Sequence, residues 1–335
     1  MVDVVLLLIS LGIILAGAEA FTNGVEWLGK KLKLTEGAVG SILAAVGTAL
    51  PETMIPIVAI IFGGGGHAGE EIGIGAILGA PFMLSTLAFF ISGVAVIAYR
   101  HRRPNYPKMN LDTKTMGRDL SFFLLVYTVA VLASFLGAHI WKQLVAFGLV
   151  AAYLIYAYLT VTNGHTLDEG EELNPLYLAR KAIEPSLAAV LAQIAIALGL
   201  IIGGAHLFVD GVEHLATLIG VPPFVLALII APIATELPEK FNSIIWIGRG
   251  KDTLALGNIT GAMVFQSSMV PAVGITMTSW DLTQGALISA ILAIISAGLV
   301  YLQIRSKKYL TPYTLIGGGV FYSIFVVLVI GGFIR

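Results

Sequence analysis

The chain has 335 residues, of which 57% are hydrophobic and 12% charged, with mean hydropathy +0.92 and net charge −1. A soluble domain carries roughly 25% charged residues, so the composition excludes a water-soluble globule, and no nucleic-acid partner is expected. There is no cysteine, which excludes disulfides, thiolate metal ligands and cysteine nucleophiles.

A membrane-crossing helix needs about 20 apolar residues. Ten stretches are read as spans: 4–22, 36–62, 72–98, 119–137, 143–163, 186–209, 223–247, 254–278, 284–304 and 312–333. The first lacks a basic leader and a small-residue cleavage site, so it is read as a mature helix and not a signal peptide. Of the 19 Lys and Arg, 16 fall in the loops that follow the first, third, fifth, seventh and ninth spans. Basic residues favour the cytoplasmic side, which places those loops inside and both termini outside. The stretch 67–71, with His67, Glu70 and Glu71, reads as a solvated loop.

The expected fold is an all-α integral membrane protein of ten transmembrane helices in two inverted-topology repeats of five. Shifting the chain by 187 residues aligns 17–52 with 204–239 without a gap, and 13 of the 36 positions are identical. Gly17-Ala18 meets Gly204-Ala205, Gly24-Val25-Glu26 meets Gly211-Val212-Glu213, and Leu50-Pro51-Glu52 meets Leu237-Pro238-Glu239. The match resumes with Gly75 and Gly79 against Gly257 and Gly261. Five spans per unit is an odd number, so the second unit must enter the membrane in the opposite sense, an architecture of secondary transporters. The units are 1–163 and 186–335. The polar segment 164–185, which includes Asp168, Glu169, Glu171 and Glu172, is the cytoplasmic connector.

A carboxylate in mid-span is costly, and such residues default to function. Proline lacks an N–H, so Pro51 frees the carbonyl of Gly47 and Pro238 that of Ala234; each helix is expected to bend there. Freed carbonyls belong beside an ion or a water-filled cavity. Thr48 lies four residues before Glu52, and Thr235 four before Glu239, so each hydroxyl shares a face with its carboxylate. These are hard oxygen ligands of the kind Ca²⁺ accepts, and two carboxylates balance its charge. Glu236 has two readings: a third site carboxylate, or half of an i,i+4 ion pair with Lys240. Asn242, Ser243, Asn258, Thr260, Gln266 and Ser267 can add neutral oxygens or hydrogen-bond neighbouring helices.

At these residues the chain resembles the calcium/cation antiporter superfamily, in particular its prokaryotic sodium/calcium exchanger-like branch. The resemblance rests on Gly47-Thr48-Ala49-Leu50-Pro51-Glu52 and Ala234-Thr235-Glu236-Leu237-Pro238-Glu239. It continues in Gly75-Ala76-Ile77-Leu78-Gly79-Ala80-Pro81 and Gly257-Asn258-Ile259-Thr260-Gly261-Ala262-Met263. It implies a central ion site of Glu52 and Glu239, with Thr48 and Thr235 beside them. The family's serines are replaced by Ala49, Glu236, Ala80 and Ala262, and its later polar positions are Leu84 and Gln266 here. Several sodium ligands implied by the resemblance are therefore missing.

The resulting expectation is a non-enzymatic secondary antiporter that exchanges Ca²⁺ for Na⁺ by alternating access, with no cofactor beyond its transported ions and with the bilayer as its surroundings. Its ion-binding set is Glu52, Glu239, Thr48, Thr235, Glu236, Gly47, Ala234, Asn258 and Gln266. The alternative within the class is a cation/H⁺ exchanger that uses the same glutamates, with Glu236 as proton carrier. An intramembrane hydrolase is disfavoured by the lack of HExxH, GxSxG or paired membrane aspartates. A non-transporting membrane protein is the remaining reading.

Overall fold

The computed structural model describes residues 2–32, 44–63, 67–163, 174–180 and 184–334. The side chains of residues 2, 3, 44–51, 161, 163 and 237–239 are outside that description. Among the described residues the fold is all helical. Its rods are α1 (Val2–Lys31), α2 (Ala44–Phe62), α3 (His67–Ala98), α4 (Thr113–Leu132) and α5 (His139–Asn163). They are followed by α6 (Leu187–Ile219), α7 (Pro223–Gly248), α8 (Asp252–Met277), α9 (Gln284–Lys307) and α10 (Pro312–Ile330). Eight of these are long and apolar enough to cross a membrane. The exceptions are α2 and α7, whose apolar stretches Glu52–Phe62 and Pro223–Glu236 are shorter among the described residues. These two helices carry the Leu-Pro-Glu segments.

Local chemistry sets the helix ends. Asp112 caps α4 by accepting from the Lys114 and Thr115 amides, Ser186 caps α6 by accepting from Ala189 N–H, and Thr283 caps α9 by accepting from Ala286 N–H. Each satisfies an amide that the first turn leaves without a partner. Gly220 ends α6 at φ +67°, a left-handed conformation that costs glycine little, and Pro222-Pro223 then starts α7.

The structure corrects one expectation. His67, Glu70 and Glu71 lie in the first turns of α3, not in a loop. Helix also continues through Pro51 and Pro238. A proline removes one backbone bond, but the turns on either side can carry the helix on. A π-helical segment at Leu84–Ala88 lies inside α3, just after Pro81.

Burial sorts the rods into centre and periphery. In their most apolar windows 83% of α3 and 67% of α8 is buried, against 22% of α1 and 17% each of α5 and α10. The outer helices turn Leu8, Phe147, Leu154 and Val327 outward, as a bilayer-facing surface requires. The central helices pack through glycine. Gly79 lies so close to α7 that an added Cβ would clash with the Leu228 carbonyl.

Along the α1–α6 contact, Gly17 lies against Ile201, Leu200 and the Ala197 carbonyl, while Gly204 lies against Ile14, Ile13 and the Ser10 carbonyl. Gly24 meets Ile194, and Gly211 meets Leu7. Each contact becomes another member of the set when 187 is added or subtracted. The described part of the connector is tied to this pair of helices. Asn23 Nδ2 and Trp27 Nε1 donate to the Asn174 carbonyl at 3.2 and 2.9 Å, Tyr177 OH donates to Glu19 at 2.7 Å, and Leu178 N–H donates to Gln193 at 2.9 Å.

Candidate functional site

Glu52 projects from α2 and is buried, at 7% exposure. Its helix packs against α1, α3 and α6 and also touches α7 and α8. Thr48 and Gly47 are in the preceding turn of α2, and Glu239 is in α7, but their side chains are outside the described set. Ala234 is partly buried in α7. Thr235 is buried, and its hydroxyl donates to the Ala231 carbonyl at 3.1 Å. That bond leaves the oxygen's lone pairs able to accept or to ligate.

The best-defined chemistry lies between α7 and α8. Lys240 Nζ sits 3.1 Å from Glu236 Oε2 and donates to Asn258 Oδ1 at 3.1 Å. Gln266 Nε2 donates to the other Glu236 oxygen at 3.1 Å. Glu236, Lys240 and Gln266 are 2%, 4% and 2% exposed, whereas Asn258 is exposed. The network therefore has a buried end at Gln266 and an accessible end at Asn258. The Oε1 of Gln266 is buried and has no hydrogen-bond partner, which is costly for an amide oxygen. Glu236 is thus half of an intrahelical ion pair with Lys240, one of its two expected readings.

Of the neutral candidates, three serve packing. Ser243 donates to the Ala255 carbonyl, Thr260 to Asp119 and Ser267 to the Val264 carbonyl. Asn242 is exposed. Asn258 and Gln266 belong to the ionic network.

Asp119 is a functional-looking residue that sequence reasoning missed. It is 2% exposed and accepts from Thr260 Oγ1 at 2.9 Å, Tyr156 OH at 3.1 Å and Arg118 Nη2 at 3.2 Å. It therefore ties α4, α5 and α8 together. Its sequence signal was weak, because an acid at the first position of a span, beside an arginine, reads as a flank.

Both glycine-motif helices begin with an acid that holds a distant loop. Asp252, at the start of α8, is fully buried and binds Arg103 through two bonds of 2.7 Å, and it also accepts from Asn110 N–H at 2.8 Å. Glu70, at the corresponding place in α3, accepts from the amide and hydroxyl of Ser279 at 3.1 and 3.0 Å, in an exposed setting.

The profile of the family described as sodium/calcium exchanger protein matches residues 2–162 and 189–332. The sodium/calcium exchanger MaX1 of Methanosarcina acetivorans is 22% identical over 282 residues, covering 78% of this chain and 79% of the relative. The crystal structure of the H⁺/Ca²⁺ exchanger CAX superposes with TM-score 0.75 at 17% identity, covering 98% of this chain and 82% of that one. The sodium-calcium exchanger NCX_Mj, soaked with Na⁺ and Sr²⁺, superposes with TM-score 0.58 at 21% identity, covering 97% of both chains. Both solved structures share the fold. The profile match runs over nearly the whole length, so this multi-pass membrane chain belongs to the sodium/calcium exchanger family of cation transporters.

Proposed function

We propose that the protein is a secondary antiporter exchanging Ca²⁺ for Na⁺, with Glu52 and Glu239 as the alternately occupied carboxylates and Thr48, Thr235 and the Gly47 and Ala234 carbonyls beside them. The observation that carries this reading is Glu52, a buried carboxylate in a Leu-Pro-Glu that occurs twice in a chain of this family. Two carboxylates balance one Ca²⁺ or two Na⁺, so occupancy by one substrate excludes the other. A neutralised site then crosses the low-dielectric interior more easily than a charged one, which couples occupancy to the change of access.

The reciprocal contacts of α1 with α6 support two five-helix units, 1–163 and 186–335, related by a two-fold axis in the membrane plane. Ten spans, with the connector and basic loops cytoplasmic and both termini outside, follow from that reading and from the charge distribution.

Exchange against H⁺ is a second reading, favoured by one feature. The ammonium of Lys240 already occupies oxygens that would otherwise serve Na⁺.

The test is ⁴⁵Ca²⁺ uptake into proteoliposomes loaded with Na⁺ or K⁺, with a separate imposed pH gradient. Uptake requiring internal Na⁺, and lost in both Glu52→Gln and Glu239→Gln, is the expected result. Uptake driven by the pH gradient alone selects the second reading. Uptake that survives both substitutions overturns the site assignment.

A further inference from the structure

We infer that the Lys240 ammonium is a tethered cation standing where α7 and α8 would otherwise hold one Na⁺, so that this chain binds one coupling ion fewer than its oxygen set could accept. The inference rests on the proposed exchange for the presence of small cations at these helices. It commits further to where one of them is replaced.

Lys240 Nζ lies 3.1 Å from a carboxylate oxygen of Glu236 and 3.1 Å from the amide oxygen of Asn258. Carboxylate and amide oxygens are the ligands that hard cations take. A third oxygen, Gln266 Oε1, is buried without a partner on the amide whose nitrogen holds Glu236. Two of these oxygens thus hold a nitrogen that cannot leave, and the third lies on the amide that bonds the same carboxylate. Asn258, at the other end of the network, is exposed.

The other half of the chain has none of this. The positions corresponding to Glu236, Lys240, Asn258 and Gln266 are Ala49, Thr53, Ala76 and Leu84. Carboxylate, ammonium and both amides are absent together. A carboxylate added without a cation would be a buried unpaired charge, and an ammonium alone would be the same. The four residues form one functional unit of zero net charge. The transported ions then neutralise only Glu52 and Glu239.

The experiment reads ion number directly. Purified protein in detergent is titrated with NaCl against N-methylglucamine chloride at constant ionic strength, and Tm is followed. The slope against log[Na⁺] reports the number of Na⁺ bound on folding. Lys240→Thr, which copies Thr53, is expected to steepen the slope by one Na⁺ per chain. Glu236→Ala/Lys240→Thr, which copies the first half, is expected to return it to the wild-type value. Because the chain has no cysteine, Lys240→Cys can be modified selectively with 2-aminoethyl methanethiosulfonate. The unmodified variant should gain the Na⁺ and the aminated form should lose it.

Unchanged slopes in both single variants overturn the inference, even if the wild type responds to Na⁺ and the exchange reading survives. A wild type indifferent to Na⁺, with variants that respond, supports the inference while sodium coupling fails. If loss of the ammonium prevents folding, recovery in Na⁺ but not in N-methylglucamine supports the inference, and failure in both buffers overturns it.

Discussion

The α1–α6 contact follows the 187-residue correspondence in the sequence, and the α7–α8 network departs from it. Along α1 and α6, each close approach has a partner 187 residues away: Gly17 with Ile201 and Gly204 with Ile14, Gly24 with Ile194 and Gly211 with Leu7. At the site, Glu236, Lys240, Asn258 and Gln266 face one another, while their counterparts are Ala49, Thr53, Ala76 and Leu84. Shape agrees where the corresponding surfaces of α1 and α6 pack on each other, because a change on one side would need a matching change on the other. Chemistry differs at the positions that correspond to the α7–α8 network. Symmetry in this molecule therefore belongs to packing and asymmetry to charge.

The largest expected effect comes from splitting a buried charge pair that only one half possesses. Asp252→Asn leaves the nearly buried Arg103 without its charge partner, and the one remaining oxygen cannot keep all the bonds the carboxylate accepts from Arg103 and Asn110. Breaking such a pair costs about 3–5 kcal/mol, so a large fall in Tm during thermal unfolding in detergent is expected. The matching substitution in the first half, Glu70→Gln, removes exposed contacts to Ser279 and should cost under about 1 kcal/mol. Equal losses would refute the claim that charge is where the halves differ.

The next effect sharpens the symmetric side. An alanine Cβ at position 17 would lie 2.9 Å from Ile201 Cγ1, and one at position 204 would lie 2.8 Å from Ile14 Cγ1. Overpacking of this kind costs about 1–3 kcal/mol. Gly17→Ala and Gly204→Ala should therefore lower Tm by similar amounts. A large difference between them would break the two-fold reading of the α1–α6 pair.

These contrasts also explain how much was legible beforehand. The membrane class and most rods could be read, since hydropathy over about 20 residues is a property of the bilayer. The Leu-Pro-Glu acids stood out because a carboxylate amid apolar residues has no ordinary explanation. The Glu236–Lys240 pair was legible as one of two options, since i,i+4 spacing is local. Its closure by Asn258 and Gln266 was not, because those residues come from another helix at a register that spacing does not fix. Asp119 escaped for a similar reason. Its partners Tyr156 and Thr260 lie 37 and 141 residues away. The loop reading of His67, Glu70 and Glu71 failed because polarity was taken for irregular backbone, where acids in a first helical turn are favourable.

The smallest effect concerns the loop that Glu70 helps to hold. There Lys142 Nζ donates to the Ser279 carbonyl at 2.6 Å and to Asp281 Oδ1 at 2.8 Å. The hydrogen bond from Lys142 holds the Asp281 carboxyl below its ordinary value against the opposing desolvation, with further help from a bond to Ser279. A carboxyl depressed in the folded state contributes stability above its unfolded value, near 3.8, and loses it as pH falls through the lower folded value. Asp281 is largely exposed, so solvent screens the pair to a few tenths of a kcal/mol, about the lower range for surface ion pairs. Asp281→Asn should thus lower Tm slightly at pH 7, and the difference from wild type should vanish in acid below the folded value. Lys142 is itself buried, and in Lys142→Met the Ser279 carbonyl loses its donor as well. That variant should cost more than Asp281→Asn and keep a residual deficit at low pH. If the two substitutions behave alike at every pH, the loop is held by charge alone. If only Lys142→Met matters, it is held by the carbonyl contact, and the α8–α9 loop is as indifferent to surface charge as the start of α8 is dependent on buried charge.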